Sequence, residues 1–310
     1  MSARGPGEPL DRRLHAVRPD LADVRLRGRV EAPRFAEGHP AHIAGSAEPL
    51  LRRPDPLAPM DSQLLTGEAV AVFDEAQGWA WVQCRHDGYV GYVRSTSLAG
   101  GWPAPTHVVA ARQTVVLPDA RQECAPTAYL SLGAPVTAVE TGGRFAVLAG
   151  GGYVFAGHLR AVADFEADWV AVARRLLGLP YLWGGRGAGG VDCSGLVQIA
   201  LAACGIACRR DSDQQSASIG EAVALQPLAW QRGDLIYVKG HVVIDTGEGT
   251  VVHATGHSWS VIEEPRARCL ARLAGLGLPV VAVRRPRHPQ RPQRPRRPRR
   301  PSLDPAATSR

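Results

Sequence analysis

The chain of 310 residues has no long apolar run. A membrane-spanning helix needs about 20 consecutive apolar residues, and a secretory signal needs a shorter apolar core behind a basic start. Neither pattern occurs, since the first residues are polar and rich in Pro and Arg. We therefore expect no membrane span and a cytoplasmic location, unless an upstream start adds an export signal.

The six cysteines lack the spacing of a disulfide framework, so we expect reduced thiols. Cys204 and Cys208 are close enough in sequence to suggest a zinc site. No second cysteine pair follows at finger spacing, so we expect neither a metal ion nor a cofactor.

The positive charge is confined to one end of the chain. The net charge is +7, but residues 284–310 contain ten Arg and one Asp, so the rest is nearly neutral. We expect no nucleic-acid surface on the folded part. Residues 286–310 are too polar and Pro-rich to bury a core and are predicted to be a disordered tail, with binding to an anionic polymer as the alternative.

The most informative stretch is a Gly-rich loop that ends in Asp192-Cys193-Ser194-Gly195 and runs into an apolar helical pattern. With Asp192 as N-cap, Cys193 lies in the first turn of the helix. The unpaired N–H groups and the helix dipole favour a thiolate there. The alternative is a small buried hydrophobic residue, which is how we interpret Cys204 and Cys208.

A predicted hairpin supplies a base for this nucleophile. Strand patterns over residues 234–238, 241–245 and 250–254 are joined by Gly-containing turns. His241 and His253 then lie on adjacent antiparallel strands, where one can accept the thiol proton and the other can orient it. His257 is a competitor for the orienting role, but it lies past Gly256 in a predicted loop.

Four motifs in this order, Asp-Cys-Ser-Gly-Leu-Val, Gly-Asp-Leu-Ile, Gly-His-Val-Val-Ile and Val-His-Ala, resemble the NlpC-type family of papain-like cell-wall cysteine peptidases. The resemblance covers residues 164–285. It implies that Cys193 is the nucleophile, His241 the base and His253 the orienting residue.

Helix patterns precede strand patterns in this region, which predicts an α+β fold of helices packed on an antiparallel sheet. Residues 164–177 predict the first helix, and residues 209–215 a polar loop over the cleft. Residues 279–284 predict the last strand.

Two smaller units precede the peptidase region. Residues 41–98 show short alternating strands and the pattern Asp-Gly-Tyr-Val-Gly-Tyr-Val, and they resemble a bacterial SH3 domain. Residues 105–162 repeat this pattern more faintly, so a second, degenerate SH3-like barrel is predicted, with a linker as the alternative. Residues 1–40 form either an amphipathic segment packed on the later domains or an arm with little structure.

The resemblance implies cleavage of the γ-D-glutamyl to diamino-acid bond in peptidoglycan stem peptides. SH3-like units ahead of the peptidase are similar to the subgroup that recycles free murein tripeptides with an unblocked N-terminal L-Ala. Candidate contacts to this substrate are Tyr89 (ahead of Tyr92), Tyr181, Asp192, Ser194, Asp211 and Ser212.

Several of these residues have a plainer interpretation. Asp192 can serve only as an N-cap and Tyr89 only as a barrel residue. For acyl transfer the Cys193 N–H is the first oxyanion donor. The hydroxyl of Tyr181 is a second donor or a substrate contact, unless its ring merely packs beside Trp183.

Three other functions fit parts of the sequence. An amidase or acyltransferase would use the same Cys-His-His core, and an inert peptidase domain would leave a protein that only binds wall peptides. An adaptor that acts through the Arg/Pro tail is the third. No pattern selects the diamino acid or an oligomeric state.

Overall fold

The computed structural model describes residues 10–101 and 103–288. This part of the chain contains 25 β-strands and four α-helices. The α-helices are α1 Trp169–Arg174, α2 Cys193–Ala203, α3 Ser212–Ser218 and α4 Arg266–Gly275. The N-terminal strands are β1 Leu21–Asp23, β2 Arg34–Ala36, β3 His39–Ile43, β4 Ala47–Leu51, β5 Met60–Leu65, β6 Ala69–Ala76, β7 Trp79–Cys84, β8 Val90–Arg94 and β9 Leu98–Ala99.

The middle of the chain contributes the short strands β10 His107–Val109, β11 Gln113–Val116, β12 Ala128–Ser131, β13 Pro135–Val136, β14 Ala138–Glu140, β15 Phe145–Leu148, β16 Tyr153–Phe155 and β17 Leu159–Ala161. The C-terminal region contributes β18 Arg186–Gly187, β19 Gly190–Val191, β20 Glu221–Val223, β21 Leu235–Val238, β22 His241–Asp245, β23 Thr250–Thr255, β24 Ser260–Pro265 and β25 Val280–Arg285. None of the helices in the described ranges is long and apolar enough to cross a bilayer.

The N-terminal segment packs on the first barrel, which is one of the two alternatives that the sequence left open. Its strands β1 and β2 pair in parallel. Ala16 and Leu21 share a buried cluster with Phe73 and Trp81 of the barrel. The Arg18 guanidinium lies over the Trp81 ring at 4.6 Å, so an apolar and a cation–π contact both hold the arm in place.

Strands β3 to β9 form one antiparallel sheet in the order β5-β4-β8-β7-β6-β3-β9. Its core contains Ile43, Leu50, Leu64, Val70 and Val93, all fully buried. Strands β10 to β17 form three smaller sheets around a second cluster that includes Val109, Leu130 and Val154. Leu65 of β5 belongs to this second cluster, so the first barrel and the middle strands share apolar contacts. That these strands form a second SH3-like barrel stays a prediction.

The C-terminal region is the predicted α+β fold, and this prediction is confirmed. A six-stranded antiparallel sheet has the order β20-β25-β21-β22-β23-β24. Helix α2 packs on one face, where Leu196 and Ala200 meet Ile244 and Val252. On the other face, Leu273 of α4 joins a separate cluster with Ile236, Val243 and Val251.

Some local predictions for this region were wrong. The first helix starts only at Trp169, because Asp168 accepts a hydrogen bond from the N–H of Val170 and caps it there. Residues 212–218 form helix α3 rather than a loop. Asp211 and Gln214 form a capping box at its start, which outweighs the polar composition.

A buried ion pair joins the first barrel to the C-terminal region. The Arg186 guanidinium bonds both oxygens of Glu68 at 2.9 and 3.0 Å, and its backbone N–H donates to Gln63 Oε1 at 2.9 Å. Burial alone would raise the pKa of Glu68, but the charges of Arg186 and His86 outweigh it and lower that pKa. Glu68 is therefore ionised, and the interface contains a fully formed charge pair.

We predict that Glu68→Gln destabilises the protein by about 3–5 kcal/mol, because it leaves the buried Arg186 charge without its counterion. Thermal and denaturant unfolding measure this. The matched control is Glu248→Gln, which removes surface ion pairs with Arg174 and Arg232 and should cost at most about 1 kcal/mol. Equal losses in the two variants would contradict this account of the interface.

Candidate active site

Cys193 is the first residue of α2, as the sequence predicted. Asp192 has extended backbone and accepts a hydrogen bond from the Gly195 N–H at 2.7 Å, which ends the loop and starts the helix. The side chain of Cys193 is largely buried, but it lies on the wall of the main cleft. Because a helix leaves its first N–H groups without intrahelical acceptors, the Cys193 N–H is available to a developing oxyanion.

The carboxylate of Asp192 is held from several sides. Besides Gly195, it accepts from the Gly184 N–H at 2.9 Å and from Arg210 at 2.7 and 3.0 Å. Arg210 is almost fully buried, and it also donates to Ser194 Oγ and Ser62 Oγ, both at 2.9 Å. Sequence reasoning missed Arg210, because an arginine in a polar stretch carries no local sign that it is buried.

The hairpin brings the two histidines together. Strands β22 and β23 are antiparallel with Ile244 opposite Val252. His241 Nε2 lies 2.9 Å from His253 Nδ1, and His253 is almost fully buried. His257 lies in the turn after β23, where its backbone N–H donates to Thr255 Oγ1 at 3.2 Å. His253 is thus the histidine that contacts His241, as the strand pattern indicated.

The contact chain continues beyond the predicted residues. His253 Nε2 lies 3.0 Å from Glu264 Oε1 on β24, and Glu264 in turn contacts the Arg272 guanidinium of α4. No sequence pattern pointed to Glu264 or Arg272. Glu264 lies opposite Val251 in the β23–β24 ladder, and only a known register could have indicated that it is near His253.

Burial sets the protonation states of the nucleophile and the base. Burial and the nearby Asp192 charge raise the pKa of Cys193 to about 12, against backbone hydrogen bonds with Val242 and Ser194. Burial, with the neighbouring His253, lowers the pKa of His241 to about 3. At rest Cys193 is therefore a neutral thiol and His241 a neutral imidazole. The expected thiolate is not found, because desolvation of the sulfur outweighs the helix start.

The cleft in front of Cys193 has a volume of about 660 Å³, and three regions of the chain line it. The arm contributes Arg13, the first barrel contributes Tyr89, and the C-terminal region contributes Tyr181 and Asp211. Ser194 and Ser212 also lie on its wall. The predicted contact residues, although far apart in sequence, thus surround one cavity.

A charged cluster lies on the wall of this cleft. The Tyr89 hydroxyl donates to Asp211 Oδ2 at 3.0 Å, and Arg13 donates to the same oxygen at 2.8 Å. Arg13 also pairs with Asp11 and Asp213. Burial raises the pKa of Asp211, while Tyr89, Arg210 and Arg13 act in the opposite direction. Sequence reasoning missed Arg13, because it lies 198 residues from its partner Asp211.

Tyr181 also lines the cleft. Its ring makes an edge contact with Trp259 at 6.1 Å between centroids, whereas Trp183 is 63% exposed. Burial and the nearby Cys193 and Asp192 raise the pKa of Tyr181 to about 12, so its hydroxyl is a donor. The role of that hydroxyl toward an oxyanion stays a prediction.

His253, Glu264 and Cys269 place their donor atoms within 4.8 Å of one another, which is a spacing that a metal ion can bridge. Two of these three residues, His253 and Glu264, already have other partners, however. Both ring nitrogens of His253 have partners, and the Arg272 cation contacts Glu264. A second cation at this point would be repelled, so we assign the cluster to the hydrogen-bond chain rather than to a metal.

Comparison with known proteins identifies the class that this fold and site define. Residues 178–270 match the NlpC/P60 family, and residues 50–98 match the bacterial dipeptidyl-peptidase Sh3 domain. The crystal structure of an NlpC/P60 family protein from Bacillus cereus superposes with a TM-score of 0.68 over 80% of this chain and 99% of that one, at 22% identity. The C-terminal region is thus a papain-like cysteine-peptidase fold.

Two curated relatives are named as dipeptidyl-peptidases. A gamma-D-glutamyl-L-lysine dipeptidyl-peptidase of Bacillus cereus is 35% identical over 36% of this chain and 32% of its own length. Dipeptidyl-peptidase 6 of Lysinibacillus sphaericus is 27% identical over 66% of this chain and 84% of its own length. The match spans about a third of the first relative and most of the second. The chain carries an NlpC/P60 domain behind a bacterial SH3 domain, as the sequence motifs predicted.

The neutral thiol–imidazole pair predicts an unusual pH dependence. Because the pKa of His241 is lowered to about 3, the acid limb of kcat/KM should lie well below the ordinary histidine range of about 6.5. Because the pKa of Cys193 is raised to about 12, its rate of alkylation should still be rising at alkaline pH. Iodoacetamide labelling across pH, with Cys193→Ala to subtract the other thiols, measures the second effect. A labelling rate that levels off near neutral pH would show a thiolate and contradict this assignment.

Proposed function

We propose that the protein is a cysteine peptidase that hydrolyses the bond between γ-D-glutamate and the diamino acid of peptidoglycan stem peptides. Its preferred substrate is a free peptide of the type L-Ala-γ-D-Glu-diaminopimelate. The observation that carries the proposal is the cleft itself, which Cys193 lines together with Tyr89 of the first barrel and Asp211. The strand that begins next to it, at His241, supplies the histidine pair. The gamma-D-glutamyl-L-lysine specificity named for the Bacillus cereus relative supports the bond type.

In the first half of the reaction, His241 Nδ1 accepts the proton of the Cys193 thiol as the sulfur attacks the amide carbonyl. The electron pair of the carbonyl moves to oxygen, where the Cys193 N–H stabilises it. His241 then returns the proton to the leaving nitrogen as the C–N bond breaks. The diamino acid departs with a free amine, and the L-Ala-γ-D-Glu dipeptide stays on sulfur as a thioester.

In the second half, His241 removes a proton from water while the water oxygen attacks the thioester. Collapse of this intermediate breaks the C–S bond, and the thiolate takes the proton back from His241. The base alternates between neutral and protonated forms within one turnover. A lowered resting pKa suits this cycle, because the imidazolium is then a strong acid toward the leaving amine.

Asp211 is our candidate for binding the free ammonium of L-Ala. Asp192 also lines the cleft, but its oxygens are already bonded to Arg210 and two backbone N–H groups. Asp211 lies in the cleft and is half-desolvated, and an added positive charge would stabilise its ionised form. Arg13 donates to Asp211 Oδ2, but Arg13 also pairs with Asp11 and Asp213. These two carboxylates can hold the Arg13 guanidinium when an ammonium group binds Asp211.

Tyr89 limits how far a substrate can extend past this point. Tyr89 is 3% exposed and its hydroxyl is bonded to Asp211, so barrel and peptidase meet at the wall of the cleft. A longer or N-blocked peptide would have to displace this contact. Free tripeptides rather than intact wall are therefore the proposed substrates, which fits a role in recycling.

The test is mass spectrometry of products from four substrates: L-Ala-γ-D-Glu-diaminopimelate, its L-Lys counterpart, the N-acetylated peptide and intact sacculi. We expect release of the free diamino acid from the two unblocked peptides and none from Cys193→Ala. Cleavage of acetylated peptide or sacculi at the same rate would contradict the closed cleft. Attack on another amide would favour an amidase, and binding without turnover would favour a binding protein.

Asp211→Asn tests the ammonium site separately. Loss of one charge-assisted hydrogen bond, worth about 1.5–3 kcal/mol, should raise KM for the unblocked peptides roughly 10- to 100-fold. The matched control is Asp213→Asn on the same helix, which also pairs with Arg13 but is largely exposed. Equal changes in KM for the two variants would remove Asp211 from the substrate site.

A further inference from the structure

The hydrogen-bond chain from the base does not stop at His253. We infer that Glu264 is a positioning residue that fixes the tautomers of both histidines. While Glu264 accepts the hydrogen bond from His253, Arg272 helps to keep His253 neutral. The inference rests on the proposed role of Cys193 as nucleophile and His241 as base. It concerns two residues outside the Cys-His-His set, on the edge strand β24 and on α4.

The charge of Glu264 determines which nitrogen of His253 carries a hydrogen. Burial would raise the pKa of Glu264, but hydrogen bonds from Arg272 and His253 outweigh it and lower that pKa. Glu264 is thus ionised, and an ionised carboxylate only accepts hydrogen bonds. His253 Nε2, at 3.0 Å, must therefore carry a hydrogen and donate it.

The tautomer of His253 in turn determines the tautomer of His241. Burial lowers the pKa of His253, so the ring is neutral and has only one N–H. With that hydrogen on Nε2, His253 Nδ1 is an acceptor. His241 Nε2, 2.9 Å away, must then be the donor. The remaining nitrogen of His241, Nδ1, carries the lone pair, which is the form that can accept the thiol proton.

Arg272 has a distinct part in this arrangement. Burial has the largest effect on the pKa of His253 and lowers it; Glu264 acts to raise this pKa, and the charges of Arg272 and His257 act with burial to lower it. If His253 were protonated, both of its nitrogens would donate, and Nδ1 would donate to His241 Nε2. The single hydrogen of a neutral His241 would then be on Nδ1, and the base would have no lone pair for the thiol.

The plainer alternative is that Glu264 and Arg272 only fasten α4 to the sheet edge. The chain offers a matched control for this. Glu263, the preceding residue on β24, pairs with Arg174 at 2.8 Å and accepts from Thr250. It has the same charge, the same strand and an equivalent ion pair, but its partners are not the histidines.

The experiment compares Glu264→Gln, Glu264→Leu and Glu263→Leu in the full-length protein. Leu removes the acceptor, so kcat should fall more than 10-fold, up to the roughly 10⁴-fold seen when the orienting carboxylate of a Ser-His-Asp triad is replaced. KM should not change. Glu264→Gln retains an acceptor oxygen and should recover much of the activity. Glu263→Leu should retain kcat even if it lowers the melting temperature.

Nitrogen-15 NMR of labelled histidines gives a readout that does not depend on any substrate. We expect the Nε2–H tautomer for both His241 and His253 in the native protein, and a mixture at His253 in Glu264→Leu. A native Nδ1–H tautomer at His241, or full kcat in Glu264→Leu, would overturn the inference. If the protein cleaved none of the peptides, the proposed function would fail, while the NMR result would still decide the role of Glu264.

Arg272→Met tests the second part. Without the guanidinium the pKa of His253 should rise, so activity should be lost at acid pH and regained as the pH is raised through that pKa. The acid limb of kcat/KM should therefore move to higher pH than in the native protein. A uniform loss at every pH would show that Arg272 is only structural.

Discussion

The ion pair between Asp192 and Arg210 is the interaction on which the arrangement of the site depends. Asp192 caps the helix that begins with Cys193 and receives the N–H of Gly184 from the preceding loop. Arg210 connects this carboxylate to Ser62 of the first barrel. One buried charge pair thus fixes the nucleophile relative to its helix, to its Gly-rich loop and to the neighbouring domain.

The buried position of Cys193 determines the charge state of the reactive groups. A buried sulfur beside a carboxylate is a poor site for a thiolate, and the same enclosure disfavours an imidazolium. The site therefore holds its reactive groups neutral and depends on a correctly placed lone pair. This makes the orientation of His241 more important than the acidity of Cys193, and it gives His253 and Glu264 a purpose beyond packing.

The arm and the first barrel contribute side chains to the wall of the cleft. The barrel supplies Tyr89, and the arm packed on it supplies Arg13, both bonded to Asp211. Neither group contacts the histidines. Under the proposed function, their contacts with Asp211 link recognition of a peptide terminus to the interface between barrel and peptidase, which the buried Glu68–Arg186 pair also holds together.

The residues that could be predicted from sequence are those determined by local pattern. Cys193 follows from a loop, an N-cap and an apolar helix, and the two histidines follow from a hairpin with recognisable turns. Arg210, Arg13 and Glu264 depend on how distant segments meet. Helix α3 is a different case: Asp211 and Gln214 have capping-box spacing, so a local signal was present and was outweighed by the polar composition.

The central claim is that Cys193 forms a thioester with the L-Ala-γ-D-Glu dipeptide after the diamino acid has left. Turnover in the presence of hydroxylamine tests it most directly, because this nucleophile competes with water for a thioester. The account predicts a dipeptidyl hydroxamate whose share of the product rises with hydroxylamine concentration, and no such product from Cys193→Ala. Free dipeptide as the only product at every hydroxylamine concentration would contradict the covalent mechanism.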